Sequence, residues 1–145
     1  MAEKKPQTFA NHARYDPLYH FIALPIFLLL PFIAAANFVR HPGVHSGLLF
    51  VVAVAAAIAV LKIRTYPLKV QDRVIRLEER QRLSSLLPEP SRSHISELTE
   101  GQLIALRFAS DAEVPTLTER ALSEKLSPAD IKKAIQTWRP DYWRI

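Results

Sequence analysis

Between Phe21 and Leu61 the chain reads FIALPIFLLLPFIAAANFVRHPGVHSGLLFVVAVAAAIAVL, two long apolar runs separated by the short polar break Arg40–Ser46. Phe21–Val39 contains no charged residue in 19 positions. As an α-helix with a rise of about 1.5 Å per residue it would be roughly 28 Å long, close to the roughly 30 Å hydrocarbon layer of a bilayer. The second run, Gly47–Leu61, has 15 residues and reaches 18 if it starts at Val44. The pair predicts a transmembrane helical hairpin with spans near 18–39 and 44–61, and everything else in the chain has to be read around it.

Composition sharpens this picture once it is divided by position. The chain has 145 residues, a net charge of +5 and no cysteine. Without cysteine there are no disulfides, thiolate metal sites or cysteine nucleophiles. Three glycines, Gly43, Gly47 and Gly101, leave no phosphate-cradling glycine loop. Residues 62–82 carry seven basic and three acidic side chains, whereas residues 83–145 carry eight and nine. The basic excess therefore adjoins the apolar runs, and a nucleic-acid-binding surface, which would need a basic patch on the distal segment, is not expected. Lys4, Lys5 and Arg14 precede the first span, Lys62, Arg64, Lys69, Arg73 and Arg76 follow the second, and the intervening loop has only Arg40. By the positive-inside rule both termini face the cytoplasm. A cleaved signal peptide is disfavoured, because the first apolar run exceeds a typical signal core.

The spans have internal features of their own. Pro25 and Pro31 each remove a backbone donor and crowd the preceding turn, so the first helix should be kinked or locally opened. That suits either a bent anchor or a hinge, and the anchor is the simpler use. The second span is rich in alanine, with Ala53/Ala57 and Ala55/Ala59 at i,i+4. Small residues let helices approach closely in lipid, which serves hairpin closure, self-association or docking on another membrane protein.

Residues 62–87 read as an amphipathic juxtamembrane helix, bent or restarted at Pro67, with Val70, Val74 and Leu77 as its apolar face and Ile75 and Leu83 beside it. Asp72–Arg76 and Glu78–Arg82 are acid-to-base i,i+4 pairs. A heptad pattern breaks at Gln81 and Ser84, so no long coiled coil is expected. After a linker at 88–92, capping chemistry marks three short helices. Thr99–Gln102 and Ser110–Glu113 fit the capping box, and Ser127-Pro128 supplies a hydroxyl cap followed by proline. Helices near 100–109, 112–126 and 128–138 would share a core of Leu98, Leu103, Leu106, Phe108, Leu117, Ala121, Leu122, Leu126, Ile131, Ile135 and Trp138. A core of this size is marginal alone and should lean on the juxtamembrane helix, a partner or the bilayer. The fold class is thus all-α: N-terminal segment 1–17, transmembrane hairpin 18–61, juxtamembrane helix 62–87, linker 88–92 and a bundle of three short helices in 93–145.

Candidate sites are few. His20 and His45 lie at opposite ends of the hairpin, so a single hairpin cannot ligate haem with both. His41 and His45 are separated by Pro42-Gly43. No catalytic constellation, metal site or cofactor is expected. The candidate contact residues for lipid or a partner are Lys62, Arg64, Lys69, Arg73 and Arg76 next to the spans, and Trp138, Arg139, Tyr142, Trp143 and Arg144 in the tail, where Trp, Tyr and Arg suit an interface. The tail can equally fold over the helical core.

Val70–Arg80 (VQDRVIRLEER), Leu98–Pro115 (LTEGQLIALRFASDAEVP) and Ile131–Arg144 (IKKAIQTWRPDYWR) resemble an uncharacterised family of small bacterial membrane proteins with a two-span hairpin and a helical cytosolic segment. The resemblance implies a bacterial inner-membrane location and assigns no residue a role. The expected function is a non-enzymatic anchored interaction module, an accessory subunit of a larger membrane complex. The alternatives are an anionic-lipid-surface binder and a cofactor-bearing subunit, with haem or pigment, completed by a partner.

Overall fold

The computed structural model describes residues 6–12 and 15–141. The chain divides into two compact units, Tyr15–Lys69 and the combination of Met1–Arg14 with Val70–Arg144. Among the described residues it is all-helical. α1 spans Leu24–Arg40, α2 Val44–Leu86, α3 Glu100–Leu106, α4 Val114–Ser123 and α5 Pro128–Ala134, and a 3₁₀ segment covers Ser91–Glu97.

The Tyr15–Lys69 unit is the predicted hairpin. Six residues of π-helix, Leu18–Ala23, lead into α1, and the Leu24 N–H reaches back to the Tyr19 carbonyl. The wider turn lies next to Pro25, which has no N–H to give, so the expected opening is local and α1 continues through Pro31. At the hairpin bend the Ser46 hydroxyl donates to the His41 carbonyl at 2.6 Å and turns the chain into α2. A Cβ on Gly47 would stand 3.4 Å from the Phe38 ring, so glycine lets α2 pass close to α1 there. At the other end the Tyr19 hydroxyl donates to the Val60 carbonyl at 2.9 Å. Ser46, Ala53 and Val60, seven residues apart, are the buried positions of this part of α2. Ala55 and Ala59 are exposed. The two alanine pairs of the sequence thus separate, with Ala53 inside the hairpin and Ala55/Ala59 outside. No residue of α1 is buried. Leu18–Arg40 and Val44–Leu86 are the two helices long and apolar enough to cross a membrane.

The second unit has an ordinary apolar core. Leu83 and Leu87 meet Ile95, Leu98, Leu103, Leu106, Phe108, Val114, Leu117, Ala121, Ile131 and Ile135. The bundle's expected need for support is met by the last turns of α2. Two caps form as the sequence predicts. The Thr99 side chain accepts from the Gln102 N–H while the Gln102 side chain accepts from the Thr99 N–H, and Ser127 accepts from the Asp130 N–H. A Cβ on Gly101 would lie 2.7 Å from Pro128 Cγ, so α3 and α5 touch at a point that only glycine permits.

Four expectations are corrected. α2 runs unbroken through Pro67 as far as Leu86. The Ser110–Glu113 box does not form: α4 begins at Val114 without a side-chain cap. Glu113 is used elsewhere, its carboxylate accepting from the Gln136 and Thr137 N–H groups at 2.8 and 3.1 Å. α5 ends at Ala134, since residues 137–139 turn extended and pair with Phe108–Ser110 through Ser110 N–H to Thr137 O and Arg139 N–H to Phe108 O. Finally, the apolar face assigned to the juxtamembrane stretch is not the buried one. Ile75, Glu79, Leu83 and Leu87 turn inward, and Val70, Val74 and Leu77 remain 62, 49 and 69% exposed.

Within the N-terminal segment, Gln7 and His12 are held by tertiary contact. Gln7 exchanges two hydrogen bonds with Asp141, accepting from its N–H at 2.7 Å and donating to its carbonyl at 3.2 Å. The His12 ring packs 5.7 Å from Phe108 and 5.8 Å from Trp138.

Candidate functional site

The side of α2 that faces the bundle also builds a cleft. Gln71, Ile75, Glu79 and Arg82 line one wall, spaced four and three residues apart as one helix face requires. Arg107, just past α3, and Arg139–Asp141 line the other, around a volume of about 650 Å³.

Glu79 is the centre of its charge network. Its carboxylate is buried, with Arg82 Nη1 at 3.1 Å and Arg139 Nη1 at 3.5 Å. Burial pushes the Glu79 carboxyl above the ordinary glutamate range, and the guanidinium of Arg82, then those of Arg139 and Arg107, pull it partly back. Arg82 in turn bonds Asp111 Oδ1 through Nε at 2.8 Å and donates from Nη2 to the Ala109 carbonyl at 2.7 Å. The hydrogen bond from Arg82 holds the exposed Asp111 carboxyl below its usual range. Arg82 therefore fastens α2 to the 109–111 turn while neutralising a buried acid. Arg107 Nε stands 3.1 Å from Asp141 Oδ2, and its guanidinium lies 4.3 Å from the Phe108 ring centroid. Gln71 Oε1 is buried without a hydrogen-bond partner among the described residues.

Chemically the cleft offers paired charges of both signs, one exposed guanidinium (Arg139), an open acceptor (Gln71) and an apolar ledge at Val74 and Ile75. Such a surface suits recognition of a polar segment of another molecule. Among the described residues no group of three or more His, Asp or Glu side chains is placed to hold a metal ion.

The sequence-derived candidates scatter. Lys62, Lys69 and Arg73 are exposed, and Lys62 Nζ lies 5.2 Å from the Tyr66 ring centroid. Arg64 is half-buried. Arg76 is ion-paired with Glu100 and donates from Nε to the Asp72 backbone carbonyl. Trp138 lies over the core at 5.1 Å from Phe108, and Arg139 joins the cleft. Tyr142, Trp143 and Arg144 lie outside the described residues. Glu79, Arg107 and Asp141 were not singled out by sequence. Glu79 alone carried a signal, an acid four residues after Ile75 and four before Leu83, hence on the buried stripe.

A family model matches residues 1–145, the whole of the sequence. The chain belongs to DUF6526, a family of unknown function. No curated protein and no solved structure matches it. Membership of this family agrees with the resemblance carried by Val70–Arg80, Leu98–Pro115 and Ile131–Arg144, and the cleft draws on all three stretches.

Proposed function

We propose that this protein is a non-enzymatic, membrane-anchored interaction module of the bacterial inner membrane, with two spans and both termini in the cytoplasm. On this reading it is an accessory subunit whose helical unit docks a partner membrane protein through the Glu79–Arg139 cleft. The docking reading rests on the charged cleft, and the two-span topology on the pairing of Gln7 with Asp141. Residues on either side of the Tyr15–Lys69 hairpin belong to one compact unit, and such a unit occupies one aqueous compartment. The chain that leaves it must therefore return to it, which an even number of spans provides. The basic residues before and after the spans select the cytoplasmic side. The outward-facing Phe, Leu and Ile side chains of α1 give lipid the surface it solvates.

Purification of the full chain in mild detergent tests the docking claim. Stoichiometric membrane subunits should co-purify with the wild type and be lost from Arg139→Glu, which alters an exposed group. Recovery of the wild type with no other protein would overturn the accessory-subunit reading. A lipid-surface role is the weaker alternative, because Arg76 is engaged by Glu100 and Trp138 is packed on the core.

A further inference from the structure

Val70, Val74 and Leu77 form an exposed apolar stripe on α2. These residues sit past the apolar run of α2, spaced four and three apart, exposed and outside the bundle's core, with Val74 at the rim of the cleft. Three large apolar side chains in an aqueous setting leave a strip that another surface can cover. The spacing is that of a short heptad seam, with Val74 at a, Leu77 at the following d and Val70 at the preceding d. β-branched a with leucine d is the combination that favours two parallel strands.

The flanks identify the occupant. In this register Arg73 falls at g on one side of the seam and Glu78 at the next e on the other. Where two parallel helices meet about a two-fold axis, a g residue faces the following e residue of the opposite helix. Arg73 would therefore face Glu78 of a second copy, and the reciprocal pair would form on the other side. Both side chains are exposed, and neither forms an ion pair among the described residues. We propose that this face is the seam of a parallel homodimer, closed by Val70, Val74 and Leu77 and set in register by two reciprocal Arg73–Glu78 ion pairs. The seam is short and ends at Gln81, the next a position, and it shares Val74 and Glu78 with the rim of the cleft. The inference rests on the membrane-anchored reading in one respect: insertion in a shared bilayer forces two copies to be parallel.

The chain has no cysteine, so single-cysteine variants of the full protein in native membranes provide the test. Under mild oxidation, L77C and V74C should form covalent dimers on the order of tenfold more than K69C, which lies off the seam on the same helix. Adding Arg73→Glu or Glu78→Arg to L77C should lower the yield several-fold, and adding both should restore it, as a register-setting ion pair requires. Equal cross-linking of L77C and K69C, or no rescue by the double reversal, would overturn the proposal. So would a membrane-retained protein that stays monomeric, which would assign the strip to lipid, or one cross-linked through L77C to a different chain. Release of the protein by alkaline carbonate would show that the anchored reading had failed, and the parallel geometry with it. Retention with no dimer would fail the seam alone.

Discussion

The two units use apolar side chains in opposite senses. Phe32 in α1 is 73% exposed and Phe108 beneath Trp138 is 1% exposed. In the helical unit an apolar side chain contributes by leaving water, about 25 cal/mol for each Å² buried. For a hairpin placed in lipid, as proposed, the surroundings are as apolar as leucine, so little would be gained by turning a phenylalanine inward. Cohesion there comes from close approach and hydrogen bonds, as at Gly47–Phe38 and Tyr19–Val60. Hydropathy alone therefore locates both units yet says nothing about which faces touch. In one the large residues mark the interior, and in the other the small ones do.

The same truncation made in both places is the sharpest way to break this contrast. Phe108→Ala should cost about 3–5 kcal/mol of stability in the helical unit, read by denaturant unfolding of the detergent-solubilised chain. Phe32→Ala should change it by less than about 1 kcal/mol, because lipid or detergent replaces the lost neighbours. A comparable loss for Phe32→Ala would mean that α1 is packed like a soluble core. Next in size is Arg82→Ala, which strands the buried Glu79 carboxylate and should cost about 3 kcal/mol. Replacing both partners with apolar residues should recover much of that loss.

Gly101→Ala should cost about 1–3 kcal/mol, since Pro128 stands where the new Cβ must go and a proline ring yields little. A smaller effect separates the two acids of the network by pH. Glu79 is pushed up, so its neutral form is favoured by the fold. Its contribution is complete below its ordinary value of 4.5 and is lost as pH rises through its higher folded value. Asp111 is held down, so its contribution is present above 3.8 and is lost as pH falls through its lower folded value. The stability of wild type relative to Glu79→Gln should therefore fall as pH rises above 4.5 and then level off, whereas the difference from Asp111→Asn should shrink only in acid. The smallest effect concerns α4, which ends in a left-handed Lys125 (φ 51°) with the Leu126 N–H returned to the Ala121 carbonyl. Lys125→Gly relieves that backbone and should stabilise by about 0.5–1 kcal/mol.

What the sequence made legible follows from the range of the forces involved. The hairpin, the Thr99 and Ser127 caps and the core list could be read because each depends on composition or on residues within one turn. The Ser110–Glu113 box has the same local signature as the Thr99 box and yet does not form, because two backbone N–H groups past α5 claim the Glu113 carboxylate. The buried face of α2 differs from the apolar stripe read in the sequence for a related reason. Val70, Val74 and Leu77 have apolar spacing as good as that of Ile75, Leu83 and Leu87, and only the position of the bundle decides between them. The cleft was hidden because Arg107 and Arg139–Asp141 reach α2 from points far along the chain. Gln7 and His12 carry no local signal at all.

The Gln7–Asp141 clasp joins residues 134 positions apart, and this sets an order in time. As the chain is made, residues 6–12 emerge well before their partners Phe108, Trp138 and Asp141. In between come the two long apolar helices. The helical unit is interrupted in sequence, so residue 7 cannot find its partner until residue 141 has been made. Its closing contact is the one of longest sequence separation and the slowest by topology. Completion of that clasp would report, in a single residue pair, that the hairpin has been made and the two ends of the helical unit have met.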